Sequence, residues 1–376
     1  MRKLLILLPV FLLIHLQQAQ AQRKLIKKFL SEKTDTTKKT SFVALPAAAY
    51  AQETGLEAGA ISITSFYTEK NDTITRSSTI NAIVTFTTRK QSNFSIKPDI
   101  WSPGNRYHYS AVIRYKNFPF DFYGVGDKTR EVDKDPLGQK LFILTAEAER
   151  LVTKNIYAGL TAGFEDYRYS DKDAGGIYQT GAFNDREGGN VLYFGASVIY
   201  DSRNASTYTT RGSYLKLNYS FAPSRGSRPF TGSLIKADFR QFNGLSKKNV
   251  LGFNINFSSV QGNNIPFYLL PQLGNDQIMR GYYTGRYRDQ NLLTAHTEWR
   301  YHFMNRFGVA AFAGAGTVFK NGHLDLNRFK PNYGAGARYF LDPGRGITLR
   351  MDYAVGEKPS GEKRLTGFYM ALAEAF

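Results

Sequence analysis

Apolar and polar residues take turns along most of this chain. In TAHTEWRYHF (294–303), Thr294, His296, Glu298, Arg300 and His302 fall on one side of an extended segment, and Ala295, Thr297, Trp299, Tyr301 and Phe303 on the other. Successive side chains of a strand point to opposite faces, so this pattern predicts a strand with two unlike surfaces. ITLRMDY (347–353) repeats it, with Thr348, Arg350 and Asp352 opposed to Ile347, Leu349, Met351 and Tyr353. The pattern predicts strands near 56–67, 76–88, 91–99, 106–115, 120–126, 139–152, 156–170, 190–201, 211–222, 231–243, 248–261, 291–303, 307–319, 332–341, 346–356 and 365–376. The segment at 120–126 is included because a closed single-chain barrel needs an even strand count. Short turns at 153–155, 304–306 and 342–346 alternate with long loops at 127–138, 171–189, 262–290 and 320–331.

Short turns at one end and long loops at the other suit a membrane barrel, in which only alternate residues meet lipid. Turning Arg300 toward lipid near the midplane would cost about 2–4 kcal/mol, so the charged face of 294–303 belongs to the lumen. The expected fold is all-β: a sixteen-stranded antiparallel transmembrane β-barrel with a long loop folded inward. Composition agrees, with 24 Tyr, 28 Phe, 34 Gly and no Cys. The lack of Cys excludes disulfides and thiolate metal sites.

The first residues, MRKLLILLPVFLLIHLQQAQAQ, have a basic start, an apolar run and Ala19-Gln20-Ala21, which together read as an export signal over 1–21. Residues 22–55 are expected to form a short basic periplasmic segment, and 56–376 the outer-membrane barrel. The net charge of +18 points to acidic lipid headgroups or lipopolysaccharide as partners, with a merely solvated basic surface as the alternative. Nucleic acid is not an expected partner of an exported chain, and no cofactor is implied.

The loop QIMRGYYTGRYRDQ (277–290) is unusual for its cations and aromatics. It is long enough to fold back into the barrel. There Arg280 is expected to pair with Glu298 and also with Asp352, Gly281 to allow close backbone approach, and Tyr282 to pack on the wall. His296, Arg300 and Arg350 are expected to line the lumen. Small residues in VAAFAGAG (309–316) leave room inside. The alternative places these arginines outside, against lipopolysaccharide.

The run QIMRGYYTGRYRDQNLLTAHTEWRYHF (277–303) resembles the signature of the BamA/TamA superfamily of outer-membrane barrels, also called bacterial surface antigens. YDSRNASTYTTRG (200–212), FYGVG (122–126) and NYGAGARYFLDPGRGITLRMDYAVG (332–356) are similar to further family pieces. The resemblance implies sixteen strands, a sixth extracellular loop locked inside through its Arg-Gly-Phe/Tyr motif, and a seam between first and last strands. It also implies help with insertion or translocation of client outer-membrane proteins or lipids. Two departures stand out. Gly314 occupies the place of an Asp that contacts the loop Arg in relatives, and only 22–55 stands where relatives carry POTRA domains, as in a short branch of the family.

The seam is expected between 56–67 and 365–376, weakened by Gly59 and Gly367. The last strand places Phe368, Met370, Leu372 and Phe376 on one face, interrupted by Glu374; the terminal Phe looks like the outer-membrane assembly signal. A passive pore or anchor and a homodimer remain open. An enzyme is not expected: there is no H-E-x-x-H or G-x-S-x-G, and EF-hand and Cys/His metal spacings are lacking. His296 beside Glu298 offers a His–carboxylate pair, whereas His108 and His323 have no partner legible in sequence.

Overall fold

The computed structural model describes residues 39–376 apart from 52–54, 72, 172–174 and 226–229. The export signal (1–21) and the basic stretch up to 38 lie outside the described residues. Sixteen strands pair in chain order as one antiparallel sheet: β1 (Ser41–Ala51), β2 (Gly55–Phe66), β3 (Ser78–Thr87), β4 (Ser92–Trp101), β5 (Tyr107–Phe122), β6 (Asp135–Thr153), β7 (Ile156–Ser170), β8 (Gly188–Asp201), β9 (Gly212–Arg225), β10 (Phe230–Gly244), β11 (Asn249–Asn263), β14 (Asn291–Met304), β15 (Phe307–Phe319), β16 (Lys330–Asp342), β17 (Ile347–Val355) and β18 (Thr366–Leu372). Two short strands, β12 (Gln272–Leu273) and β13 (Tyr287–Arg288), pair within the long loop between β11 and β14.

Alternation decides which side of the sheet each residue meets. Phe94, Ile96, Ile113, Tyr115, Leu144, Leu160, Phe194, Val198, Phe253, Ile255 and Trp299 point outward and are exposed. Their strand neighbours Ser95, Glu149, Ser197, Asn254, Glu298 and Arg300 are buried. An apolar outside around a charged inside inverts a soluble sandwich and is the arrangement a bilayer selects. At the short-turn end Trp299 stacks on Tyr301, Tyr301 meets Phe303 at a tilt and Phe307 meets Tyr339 edge-on, an aromatic girdle of the kind a membrane interface carries.

Two departures in strand assignment cancel in the count. The first strand is β1 at Ser41–Ala51, so the sheet begins inside the expected 22–55 segment, not at 56. SFVALPAAAYA lacks charge and shows no polar–apolar alternation, which conceals it. The expected strands 106–115 and 120–126 are one strand, β5, which pairs with β6 from Tyr107↔Arg150 to Phe122↔Asp135 without a break. Pro119 lies within this strand, and a continuous pairing carries β5 across it.

The two edge strands of the sheet are therefore β1 and β18, and 56–67 is not an edge. Gly59 lies on β2, where it packs against β3: a Cβ there would meet Val84 O at 2.0 Å. The last strand is also shorter than expected. β18 stops at Leu372, Ala373 adopts φ +74°, and the chain turns into the lumen. Phe368 and Met370 face outward, but Glu374 and Phe376 are buried. Phe376 therefore does not share a face with Phe368 and Met370 as expected: its ring joins Phe242 and Val250 inside.

The loop end is filled. Phe122, Tyr178, Phe230, Phe267 and Tyr268 form a buried cluster with partly buried Phe120, Tyr167, Tyr169 and Phe183. Arg288 lies among these rings, 5.2 Å from Phe122 and 5.7 Å from both Phe120 and Phe267. Its Nε and Nη2 both donate to the Gly285 carbonyl.

Candidate functional site: an arginine-anchored loop inside the barrel

The long loop descends into the lumen and places Arg280 against β14, β15 and β17. Its Nη2 donates to Glu298 Oε2 at 2.7 Å and its Nη1 to Asp352 Oδ2 at 2.5 Å. The guanidinium carbon lies over Phe312, 3.4 Å from the ring centroid. All three groups are fully buried. A planar, permanently charged fork suits this seat because it bridges two carboxylates while stacking on an aromatic face, which an ammonium cannot do. The structure thus brings together Arg280, Glu298 and Asp352, the three residues expected to meet.

Strand alternation supplies the rest. Arg300 Nε donates to Glu298 Oε1 at 2.7 Å. Arg350 Nη1 donates to Asp352 Oδ2 at 2.9 Å, and its Nη2 to Asp276 of the loop at 2.9 Å. Arg338 on β16 bonds Asp352 at 2.5 Å and Glu374 at 2.8 Å, and stands 3.6 Å from Glu298. Four arginines (280, 300, 338, 350) thus face four acids (276, 298, 352, 374). Buried ion pairs lose much of their attraction to desolvation; balance and sharing make this cluster tolerable, and removing one member strands its partners.

Gly281 has φ +101°, and a Cβ there would lie 3.0 Å from Gly356 N at the end of β17. Both observations demand glycine. Its N–H donates to Tyr369 Oη on β18 at 2.8 Å, so the loop is tied to the last strand as well as to the wall. Tyr282 is buried, donates to Pro331 O at 2.6 Å and accepts from Glu357 N at 2.9 Å. Gly367 also belongs to β18, beneath the Tyr369 ring.

Gly314 is the position where an Asp was expected from the resemblance. A Cβ there would meet His296 Nδ1 at 2.5 Å and Asn332 Oδ1 at 2.9 Å. His296 Nε2 accepts the Met279 N–H at 3.4 Å, and Asn332 Nδ2 donates to the Arg280 carbonyl at 2.9 Å. These two side chains occupy the vacated seat and hold the loop backbone, while Asp352 holds the guanidinium. His296 is therefore not paired with Glu298. The histidine–carboxylate contact forms elsewhere: His108, expected to be unpartnered, lies 2.9 Å from Glu149 and 3.2 Å from Asp99.

The outer part of the loop braces its neighbours. Arg286 is buried and donates to Glu362 and Glu131 at 2.5 and 3.5 Å. Burial opposes the charge of Glu362, but bonds from Arg286 and from the Glu131 N–H hold its carboxyl below the usual range. Tyr287 donates to Glu357 at 2.7 Å.

Sequence reading missed Arg338, Tyr369, Phe312 and Asn332. Arg338 was within reach: it shares the inward parity of Gly336 and Gly334 on a strand already placed. Tyr369 and Glu374 were read as parts of a straight strand, and nothing in their pattern announced the turn at Ala373. Arg300 lies where expected, but its Nη2 donates to the Phe376 carbonyl at 2.7 Å, a contact that needs the inward tail.

The model of the Omp85 superfamily domain matches residues 70–376. No curated protein matches the sequence. Among solved structures, BamA from Haemophilus ducreyi lacking POTRA domains 1–3 is similar at 12% identity, with a TM-score of 0.54, over 89% of this chain and 70% of that one. CdiB from Acinetobacter baumannii is similar at 11% identity and a TM-score of 0.52, over 89% of this chain and 60% of that one. At these identities the likeness is one of fold, and this chain spans less than two thirds of that CdiB. With an inward-facing charged wall, an outward apolar band and a domain match over most of its length, this chain belongs to the Omp85 superfamily of outer-membrane β-barrels.

Proposed function

We propose that this barrel assists insertion or translocation of protein at the outer membrane by parting β1 from β18, with its N-terminus on the periplasmic side. The observation that carries this reading is the bond from Gly281 N–H to Tyr369 Oη at 2.8 Å. Through it, the seating of the inward loop and the position of the last strand depend on each other. β1 and β18 are the two edges of the sheet, with 11 and 7 residues, so at most seven residues of the last strand can pair between them. Once parted, the β1 edge carries free backbone donors and acceptors on which a client strand can form. The filled loop end counts against a passive open pore.

The chain has no native cysteine, so pairs introduced across Ser41–Ala47 and Thr366–Leu372 report on the seam alone. Oxidative locking is expected to halt client delivery, and reduction to restore it. Undiminished delivery by the locked barrel would leave only a passive anchor. Capture of neighbours by crosslinking separates cargo classes: recovered barrel proteins support protein handling, whereas recovered lipid carriers move the reading to lipid.

A further inference from the structure

On the inner wall formed by β3, β4 and β5 three cations stand without an ion pair, unlike the arginines around Arg280; the inward acid of β4, Asp99, is already held by His108 and Trp101. Lys97 on β4 and Arg114 and Lys116 on β5 share the inward face, since their neighbours Phe94, Ile96, Ile113 and Tyr115 point out to lipid. Among the described residues none of the three forms an ion pair. The acids closest in influence are Glu57 and Asp276, and Asp276 is already bonded to Arg350 at 2.9 Å.

The same patch holds polar atoms with nothing to bond. Thr85 Oγ1, Asn93 Oδ1, Ser95 Oγ and Arg114 Nε are all buried without a hydrogen-bond partner. Register brings them together: Thr85 pairs with Asn93, Ser95 with Arg114, and Asn93 with Lys116. Thr85 and Ser95 are only 3% and 5% exposed. Buried polar atoms are nearly always satisfied. Orphans such as Thr294 Oγ1 and Thr348 Oγ1 also occur around Arg280, but there the charges are paired; here the orphans stand beside mutually repelling cations with no ion pair, a combination that suits an anion. Lys116 also lines a cavity of about 420 Å³ bounded by Tyr282, Tyr283 and Thr284 of the loop and by Thr366 and Tyr369 of β18.

We propose that this wall is an anion site for a phosphate group, carried on a lipid headgroup or free in solution. A guanidinium and two ammonium groups neutralise a phosphate. The Thr85 and Ser95 hydroxyls, with the Asn93 amide turned to present its N–H, donate to its oxygens. The cavity beside Lys116 gives a headgroup room between loop and last strand. The site does not depend on the seam opening, so it stands or falls separately from the function proposed above.

The test uses the full-length chain in nonionic detergent, with three probes: inorganic phosphate, phosphatidylglycerol in mixed micelles, and phosphate-free diacylglycerol in mixed micelles. A triple variant, Lys97→Gln with Arg114→Gln and Lys116→Gln, is compared with a charge-matched control, Arg89→Gln with Lys154→Gln and Lys363→Gln. Binding is read by calorimetry and by the thermal midpoint, which a ligand of the folded state raises. At least one phosphate probe is expected to bind wild type and control and raise their midpoints, with affinity reduced at least tenfold in the triple variant. Diacylglycerol is expected to do nothing.

Without ligand, the triple variant is expected to melt at or above wild type, because removing unpaired like charges relieves repulsion. Binding of both phosphate probes supports a site for the anion itself, and binding of phosphatidylglycerol alone supports a headgroup site. Equal responses in wild type and triple variant would overturn the assignment, as would no response to either phosphate probe or an equal response to diacylglycerol. A triple variant that fails to fold or melts well below wild type would make the cations structural, with the same consequence.

Discussion

At the scale of single residues, the loop is held by one guanidinium serving two carboxylates. Arg280→Ala leaves Glu298 and Asp352 buried with less compensation, at an expected cost of about 3 kcal/mol. Equilibrium unfolding in lipid would read it, and protease cleavage within 264–290 should accelerate. Arg280→Lys is expected to rescue little, because an ammonium cannot span both acids from a place over Phe312. Gly314→Asp is a sharper test. It restores the acid expected from the resemblance, yet its Cβ would meet His296 Nδ1 at 2.5 Å and Ala295 O at 2.7 Å. We expect a loss of about 1–3 kcal/mol from overpacking. A stabilised Gly314→Asp barrel would show that His296 and Asn332 do not fill that seat. Much of this chemistry was legible: an inward Glu298, an inward Asp352 and a loop arginine between them follow from parity and charge cost. The supporting contacts were not, because Phe312, Asn332 and Tyr369 look like ordinary strand residues until curvature brings distant strands together.

At the scale of elements, three loops are stitched by Arg286, which joins Glu131 and Glu362. The folded-state carboxyl of Glu362 lies below its usual value of 4.5, so the bond contributes above that value and is lost as pH falls through the lower folded one. Hydrogen-exchange protection of 123–134 and 356–365 is therefore expected to hold at neutral pH and fall on acidification below about 4.5. Glu362→Gln should flatten that dependence. An unchanged acid profile in this variant would assign the transition to other carboxylates. Elements with strict apolar–polar alternation, such as β14 and β17, were read within a residue or two. β1 was missed because SFVALPAAAYA carries no charge to mark its inner face. β5 was split into 106–115 and 120–126 to keep an even strand count, whereas its pairing with β6 runs on without a break. The inward tail depends on Ala373 in a left-handed conformation, for which alanine gives no signal.

At the scale of the whole molecule, two halves of the barrel wall differ. Around Arg280 every buried charge has an opposite, and the loop, the wall and the last strand are bonded into one body. Near β3–β5, Lys97, Arg114 and Lys116 have no ion pair among the described residues. The long loop lies over both, and through Tyr369 it also touches the strand that borders the seam. The proposed coupling of loop and edge strand is open to direct measurement. Spin labels on cysteines placed in β1 and β18 give the distance across the seam by pulsed electron resonance. The account predicts a narrow distribution in wild type and a broader, longer one in Arg280→Ala, with the labels far from the substitution itself. Identical distributions in the two proteins, with the loop shown by proteolysis to be released, would contradict it.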